Sequence, residues 1–130
     1  MADPEGTPVT RLWAVRGATK VSSNDAGAVL TATEELMREL IARNGLEPER
    51  IVSCIFTSTH DLNAEFPAAA ARNIGLEGVP LLCAREIDVP NSMRSVIRVL
   101  VHYYAGLDHE PAHTYLGEAQ ELRSDLHAAQ

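Results

Sequence analysis

The chain has 130 residues, 45% hydrophobic and 22% charged, with a formal net charge of −7. That is the size of one globular domain, and its apolar runs fall short of the roughly 20 residues that span a bilayer. An acidic chain lacks the basic face that displaces counterions from nucleic acid, so neither a nucleic-acid nor a membrane partner is expected. Cys54 and Cys83 both lie in apolar runs. They read as reduced thiols of a cytoplasmic protein, not as a disulfide framework.

Residues 1–10 read as a flexible leader, broken by Pro4, Gly6 and Pro8 and too acidic for a signal peptide. Arg11 to Gly17 is a first strand. Asn24 or Asp25 supplies a helix N-cap. From Ala26 the apolar residues Val29, Leu30, Leu36, Met37, Leu40 and Ile41 recur at helical spacing, with Thr33 filling a gap in the stripe. Glu34, Glu35, Arg38, Glu39 and Arg43 fall mainly on the outer face. Asn44-Gly45 signals the end of this long helix, and Pro48 follows.

Ile51 to Ser58 is a second strand and His60 to Asn63 a loop. Pro67 suits the first turn of a short helix over Ala68 to Ile74, closed by Gly75. Val79 to Ala84, Met93 to Tyr104 and His113 to Leu122 read as three further strands. They are separated by a break at Pro90-Asn91-Ser92 and a turn from Gly106 to Pro111. The order predicts an α+β domain over residues 11–126, a five-stranded mixed sheet packed on one long helix plus a short helix. Residues 127–130 form a C-terminal tail. Two helices cannot cover both faces of five strands. Because Ile51–Phe56 and Val96–Val101 read as buried on both sides, the second face is expected to pack on other subunits.

Two arginines stand out. Arg98 interrupts the apolar run Val96-Ile97-Arg98-Val99-Leu100-Val101, and Arg16 ends Leu12-Trp13-Ala14-Val15. Burying an unpaired charge costs several kcal/mol, and a guanidinium cannot escape by losing its proton. Ten of the eleven basic residues are arginines, Lys20 being the single lysine. An arginine-favouring coding bias explains that abundance but not the placement inside strands. The alternatives are an internal ion pair with Glu86 or Asp88, or a site for an anion.

Covalent and metal chemistry find little footing. His109-Glu110-Pro111-Ala112-His113 matches the zinc pattern H-E-x-x-H. That pattern needs a helix, and Pro111 in its middle with Gly106 before it argues for a loop, so no metal is expected. Cys83 sits in Pro80-Leu81-Leu82-Cys83-Ala84, an apolar setting that disfavours a thiolate. The polar residues at strand ends and interiors remain: Arg16, Glu86, Arg98 and Tyr115, with Arg72 on the short helix. Each has a structural reading in the core or in an ion pair. Together, without a nucleophile or metal site, they point to binding and electrostatics.

Val15-Arg16-Gly17-Ala18-Thr19 resembles the opening of the trimeric, α/β-type monofunctional chorismate mutases, the AroH class. The resemblance continues through Asp61-Leu62-Asn63-Ala64-Glu65-Phe66-Pro67-Ala68 with Arg72 beyond, and through Val79-Pro80 and Cys83-Ala84-Arg85-Glu86-Ile87-Asp88-Val89. Ile97-Arg98-Val99 and Tyr115-Leu116 complete it. These segments keep the family's order and near-family spacing over roughly residues 11–126. The resemblance implies a ferredoxin-like, chorismate-mutase-like fold in a homotrimeric pseudo-barrel, with an active site at each subunit interface. It implies rearrangement of chorismate to prephenate in phenylalanine and tyrosine biosynthesis, with no cofactor. By resemblance, Arg98 touches the substrate's ether oxygen in place of serving as half of an internal ion pair. Arg16 and Tyr115 bind the enolpyruvyl carboxylate, and Glu86 and Cys83 the ring hydroxyl. Phe66 and Ala68 of a neighbouring subunit line the pocket, Arg72 helps bind the ring end, and Leu122 is an apolar wall. Ala69 and Leu82 stand where the family pattern has a lysine and a threonine. The first removes a cation from the pocket mouth; the second makes the pocket more apolar. The alternative is a small trimeric imine deaminase or ligand-binding protein of the RidA-like type, which also places an arginine at an interface.

Overall fold

The computed structural model describes residues 9–123. The tail at 127–130 lies outside the described residues, as does the expected leader apart from Val9 and Thr10. Seven elements build the domain: β1 (Thr10–Lys20), α1 (Ala26–Asn44), β2 (Ile51–Ser58), α2 (Pro67–Asn73), β3 (Leu81–Arg85), β4 (Val96–Gly106) and β5 (Thr114–Tyr115). Short 3-10 segments cover Pro48–Arg50 and Gly117–Leu122. The strands form one mixed sheet in the order β3-β2-β4-β1-β5. β4 runs antiparallel to both β1 and β2, while the outer pairs β2–β3 and β1–β5 are parallel.

α1 forms where the 3.6-residue stripe is bounded by caps. The Asp25 carboxylate accepts from the Ala28 N–H at 2.8 Å, and Gly45 takes φ 59°, with the Gly45 and Leu46 N–H groups closing onto Ala42 and Ile41. Leu36, Met37, Leu40 and Val29 of α1 bury completely or nearly so against Val15, Phe56, Val99, Val101 and Tyr103 of the sheet. Thr33 sits in that stripe because its hydroxyl donates to the Val29 carbonyl at 2.7 Å, so no buried donor is stranded.

The strand limits differ from the sequence expectation in instructive ways. β1 does not stop at Gly17. That glycine lies under the helix, where an added Cβ would sit 3.0 Å from Leu40 Cδ1, 3.1 Å from Leu36 Cδ1 and 3.1 Å from the Thr114 carbonyl oxygen. We expect Gly17→Ala to cost about 1–3 kcal/mol by overpacking, read as a lower urea midpoint at fixed protein concentration. The fifth strand is two residues, not ten, because Gly117 adopts φ 56° and turns the chain into the 3-10 turn. The fourth begins at Val96 instead of Met93, since Asn91 and Ser95 both take positive φ. Val79 and Pro80 belong to the turn before β3, with the Val79 N–H bonded to Leu76.

Within one chain the two faces of the inner strands differ, and any burial of the second face by other subunits lies outside a single chain. Along β4, Ile97, Val99, Val101 and Tyr103 are buried under α1, whereas Arg98, Leu100 and His102 are half-buried and Tyr104 is exposed. β2 alternates the same way around Ile55 and Thr57. The sheet therefore has one helix-covered face and one open face. Among the described residues, only the β1–β5 end of the open face is roofed, by Tyr115, Ala119 and Leu122 packed over Ala18 and Val96.

Candidate active site

The open face gathers the functional side chains by register. Thr57 on β2, Arg98 on β4, Ala18 on β1 and Tyr115 on β5 form one row across four strands. Ile55, Leu100 and Arg16 form the next. Side chains alternate along a strand, so both rows project to the same side. Ala18 itself is fully buried beneath Tyr115, so the open space lies beside it, towards Arg16 and Leu100. A cavity of about 240 Å³ results, lined by Arg16, Arg98, Tyr115, Thr57, Ile55 and Leu100 among others.

Glu86 follows β3, where its N–H extends the β2–β3 pairing to the Ser58 carbonyl at 3.0 Å. Its carboxylate accepts from Thr57 Oγ1 at 2.8 Å and from Arg98 Nε at 3.2 Å. The side chain of Arg98 is 40% exposed and that of Glu86 16%. Arg98 is thus half of an internal ion pair within the chain, contrary to the expectation drawn from the resemblance. A guanidinium has five N–H donors. Engaging Nε orients the fork and does not exhaust it.

Leu122 joins Arg98 along a second cavity that also borders Lys20, Met93 and Arg94. The remaining candidates lie elsewhere. Phe66, 67% exposed, and Cys83 line a separate cleft of about 360 Å³ with Leu62, Pro67 and Arg85. On α2, Ala68 is buried, Ala69 half-buried and Arg72 exposed. Leu82, 61% exposed, stands opposite Ile55 on the open face. One chain therefore brings together Arg16, Arg98, Glu86, Tyr115 and Leu122, and holds Phe66, Cys83, Ala68, Ala69 and Arg72 apart from them. Cys83 shares the helix-side parity of its partner Phe56, so its side chain does not meet Arg98 within the chain. The other thiol, Cys54, is inside the core, and burial pushes it up to about 12.

The H-E-x-x-H segment is non-helical. His109 Nε2 pairs with the Tyr103 hydroxyl at 2.6 Å, and His113 Nδ1 accepts from the Arg16 N–H at 3.0 Å. The two rings serve different partners.

Sequence reasoning missed Thr57, which holds Glu86, because its value comes from standing opposite Arg98. It also missed the anchor at the start of β4. The Asp61 carboxylate accepts from Ser95 Oγ at 2.8 Å and from the Ser95 N–H at 3.3 Å. Thr59 Oγ1 accepts from the Val96 N–H at 3.1 Å. These bonds hold Ser95 at φ 58°, three positions before Arg98. Burial acts to raise the Asp61 pKa, but hydrogen bonds from Thr59 and Ser95 outweigh it and hold it down at about 2. The folded value lies below the unfolded value of roughly 3.9, so this network adds stability above about pH 4 and loses it as the pH falls toward 2. We expect Asp61→Ala to cost about 2 kcal/mol at neutral pH and to flatten the stability profile over that acid window, measured by denaturant titrations from pH 2 to 7.

Residues 12–126 match the family model of chorismate mutase type I. The chain is 44% identical over 118 residues to a curated chorismate mutase AroH of Thermus thermophilus, covering 89% of this chain and 97% of that one. It is 34% identical over 114 residues to chorismate mutase AroH of Bacillus subtilis, covering 86% and 90%. A solved chorismate mutase from Clostridium thermocellum superposes with a TM-score of 0.80 at 46% identity, covering 85% of this chain and 99% of that structure. This agreement decides against the imine-deaminase alternative. The chain belongs to the type I chorismate mutase family, and its activity is the isomerisation of chorismate to prephenate.

Proposed function

We propose that the rearrangement takes place over the Arg16–Arg98–Tyr115 cavity, in a cytoplasmic homotrimer whose neighbouring subunit completes each site. The observation that carries this reading is the cavity itself: two arginines and a tyrosine converge on the sheet face that neither α1 nor α2 covers. Exposed apolar side chains support a partner there. Leu12, Tyr104 and Leu82 lie on that face, and Phe66, Ile87 and Val89 lie in loops, Ile87 being 87% exposed. Such a set is costly to leave in water. Residues 11–126 then act as one catalytic domain.

The reaction breaks one C–O bond and forms one C–C bond within a single dianion, so the protein's work is restraint and electrostatics. Arg16 and Tyr115 grip the enolpyruvyl carboxylate and hold the chain folded over the ring. Arg98 meets the negative charge that grows on the ether oxygen. Glu86 holds Arg98 in place and accepts from the ring hydroxyl, itself steadied by Thr57. The neighbouring subunit brings Phe66, Ala68, Ala69 and Arg72, and with them the cleft that Cys83 lines; Leu122 closes the tail side. Covering the open face also lowers the local dielectric around a half-exposed Arg98, which strengthens its pull on the transition state. The trimer is then a condition of the rate. Purified protein should consume chorismate, followed by loss of its absorbance, and sediment at about three times the chain mass. A monomer of full activity would overturn the shared site.

A further inference from the structure

The β1–β5 pairing is short. Gly17 and Ala18 lie in parallel register with Thr114 and Tyr115, and the Leu116 N–H donates to the Ala18 carbonyl at 2.9 Å. One residue earlier, at Arg16, the rung is made by a side chain: the Arg16 N–H donates to His113 Nδ1 at 3.0 Å. An Nδ1 that accepts carries no proton, so the ring is neutral with its hydrogen on Nε2. The same residue leads directly into Thr114 and Tyr115. One imidazole thus ties the backbone of Arg16 to the backbone two residues before Tyr115.

The ring's own placement is secured from below. Asn44, at the end of α1, accepts from the Ala112 N–H at 2.7 Å and donates to the Ala112 carbonyl at 3.1 Å. Among the described residues, the charged groups acting on the ring are Arg16 on β1 and Arg123 beyond the last 3-10 turn, both cations. α1 presents the uncharged Asn44 to this loop. Burial first, then the two arginines, oppose protonation and hold His113 below the ordinary histidine value.

We propose that His113 is a positioning residue: as a neutral acceptor ending the β1–β5 ladder, it sets the spacing of Arg16 and Tyr115 and thereby the capture of the substrate carboxylate. The proposal rests on the reading of Arg16 and Tyr115 as the carboxylate-binding pair. A protonated ring cannot accept the Arg16 N–H and would be repelled by both arginines. Capture should therefore weaken as the pH falls through the folded value, which lies below the ordinary histidine value of roughly 6.5.

The experiment measures kcat and KM against pH for wild type, His113→Leu, His113→Asn and Arg16→Ala, with circular dichroism as the check on folding. His113→Leu removes the acceptor, and we expect KM to rise about tenfold with a smaller change in kcat. Asparagine can place Oδ1 near the position of Nδ1 without titrating. His113→Asn should hold KM within about threefold of wild type and lose the acid rise in KM. A folded His113→Leu with wild-type KM would overturn the proposal. So would a His113→Asn that keeps the acid rise, which decides the matter even where the leucine variant does not fold. If Arg16→Ala raises KM and the histidine variants do not, positioning by His113 fails alone. If Arg16→Ala leaves KM unchanged, the carboxylate reading fails and takes this proposal with it.

Discussion

Arg98→Ala is expected to lower kcat for chorismate by about 10²–10³-fold, the usual cost of removing a preorganised donor from a developing oxyanion. KM should change less, since Arg16 and Tyr115 remain to bind the carboxylate. The protein should stay folded, because the Arg98 side chain is partly exposed and Glu86 keeps its bond from Thr57. Arg98→Lys is the sharper variant. It restores a positive charge, but a lysine is a single point on a flexible stem and cannot hold Glu86 through Nε while presenting a fork to substrate. We expect it to remain at least about tenfold below wild type. Initial rates of chorismate loss, with thermal melts of each variant, decide this. Full rescue by lysine would show that charge alone suffices and that the Glu86–Arg98 geometry is incidental.

The second large effect concerns the two groups of residues that one chain keeps apart. If each site takes Arg98 from one subunit and Phe66 from its neighbour, Arg98→Ala and Phe66→Asp damage opposite halves. Each variant alone should be nearly inactive. Refolded together in equal amounts, they should recover activity. A mixed three-membered ring always contains one junction where an intact Arg98 half meets an intact Phe66 half. Three quarters of randomly assembled trimers are mixed, so about one quarter of the wild-type sites return. Activity no higher than the mean of the separate variants would place both residues in one subunit's site, or neither in any.

Arg98 illustrates what was legible before the fold was known. Its charge inside one apolar run, with Arg16 at the end of another, left two readings, an internal ion pair or a site for an anion. The resemblance added the chemistry. The resemblance argued against pairing of Arg98 with Glu86, and the residues alone could not decide it, because it depends on β3 and β4 lying on either side of β2, and strand order is not a local property. Thr57 escaped notice for the same reason: only the antiparallel register of β2 and β4 sets it opposite Arg98. His113 was visible, but as part of a spurious metal pattern. Its actual partner is a backbone N–H 97 positions away.

Local physics in the sequence determined the caps and stripe of α1, the proline start of α2, the existence of five strands and the identity of the charged residues that could not be casual. Those signals act within a few residues, through hydrogen-bond geometry and side-chain periodicity. Tertiary structure alone decided which strand neighbours which, which face stays open, where β5 ends, and that Arg16, Arg98, Glu86 and Tyr115 meet while Phe66 and Cys83 do not. Those outcomes depend on pairings between distant segments, where a shift of one residue would turn every side chain to the other face.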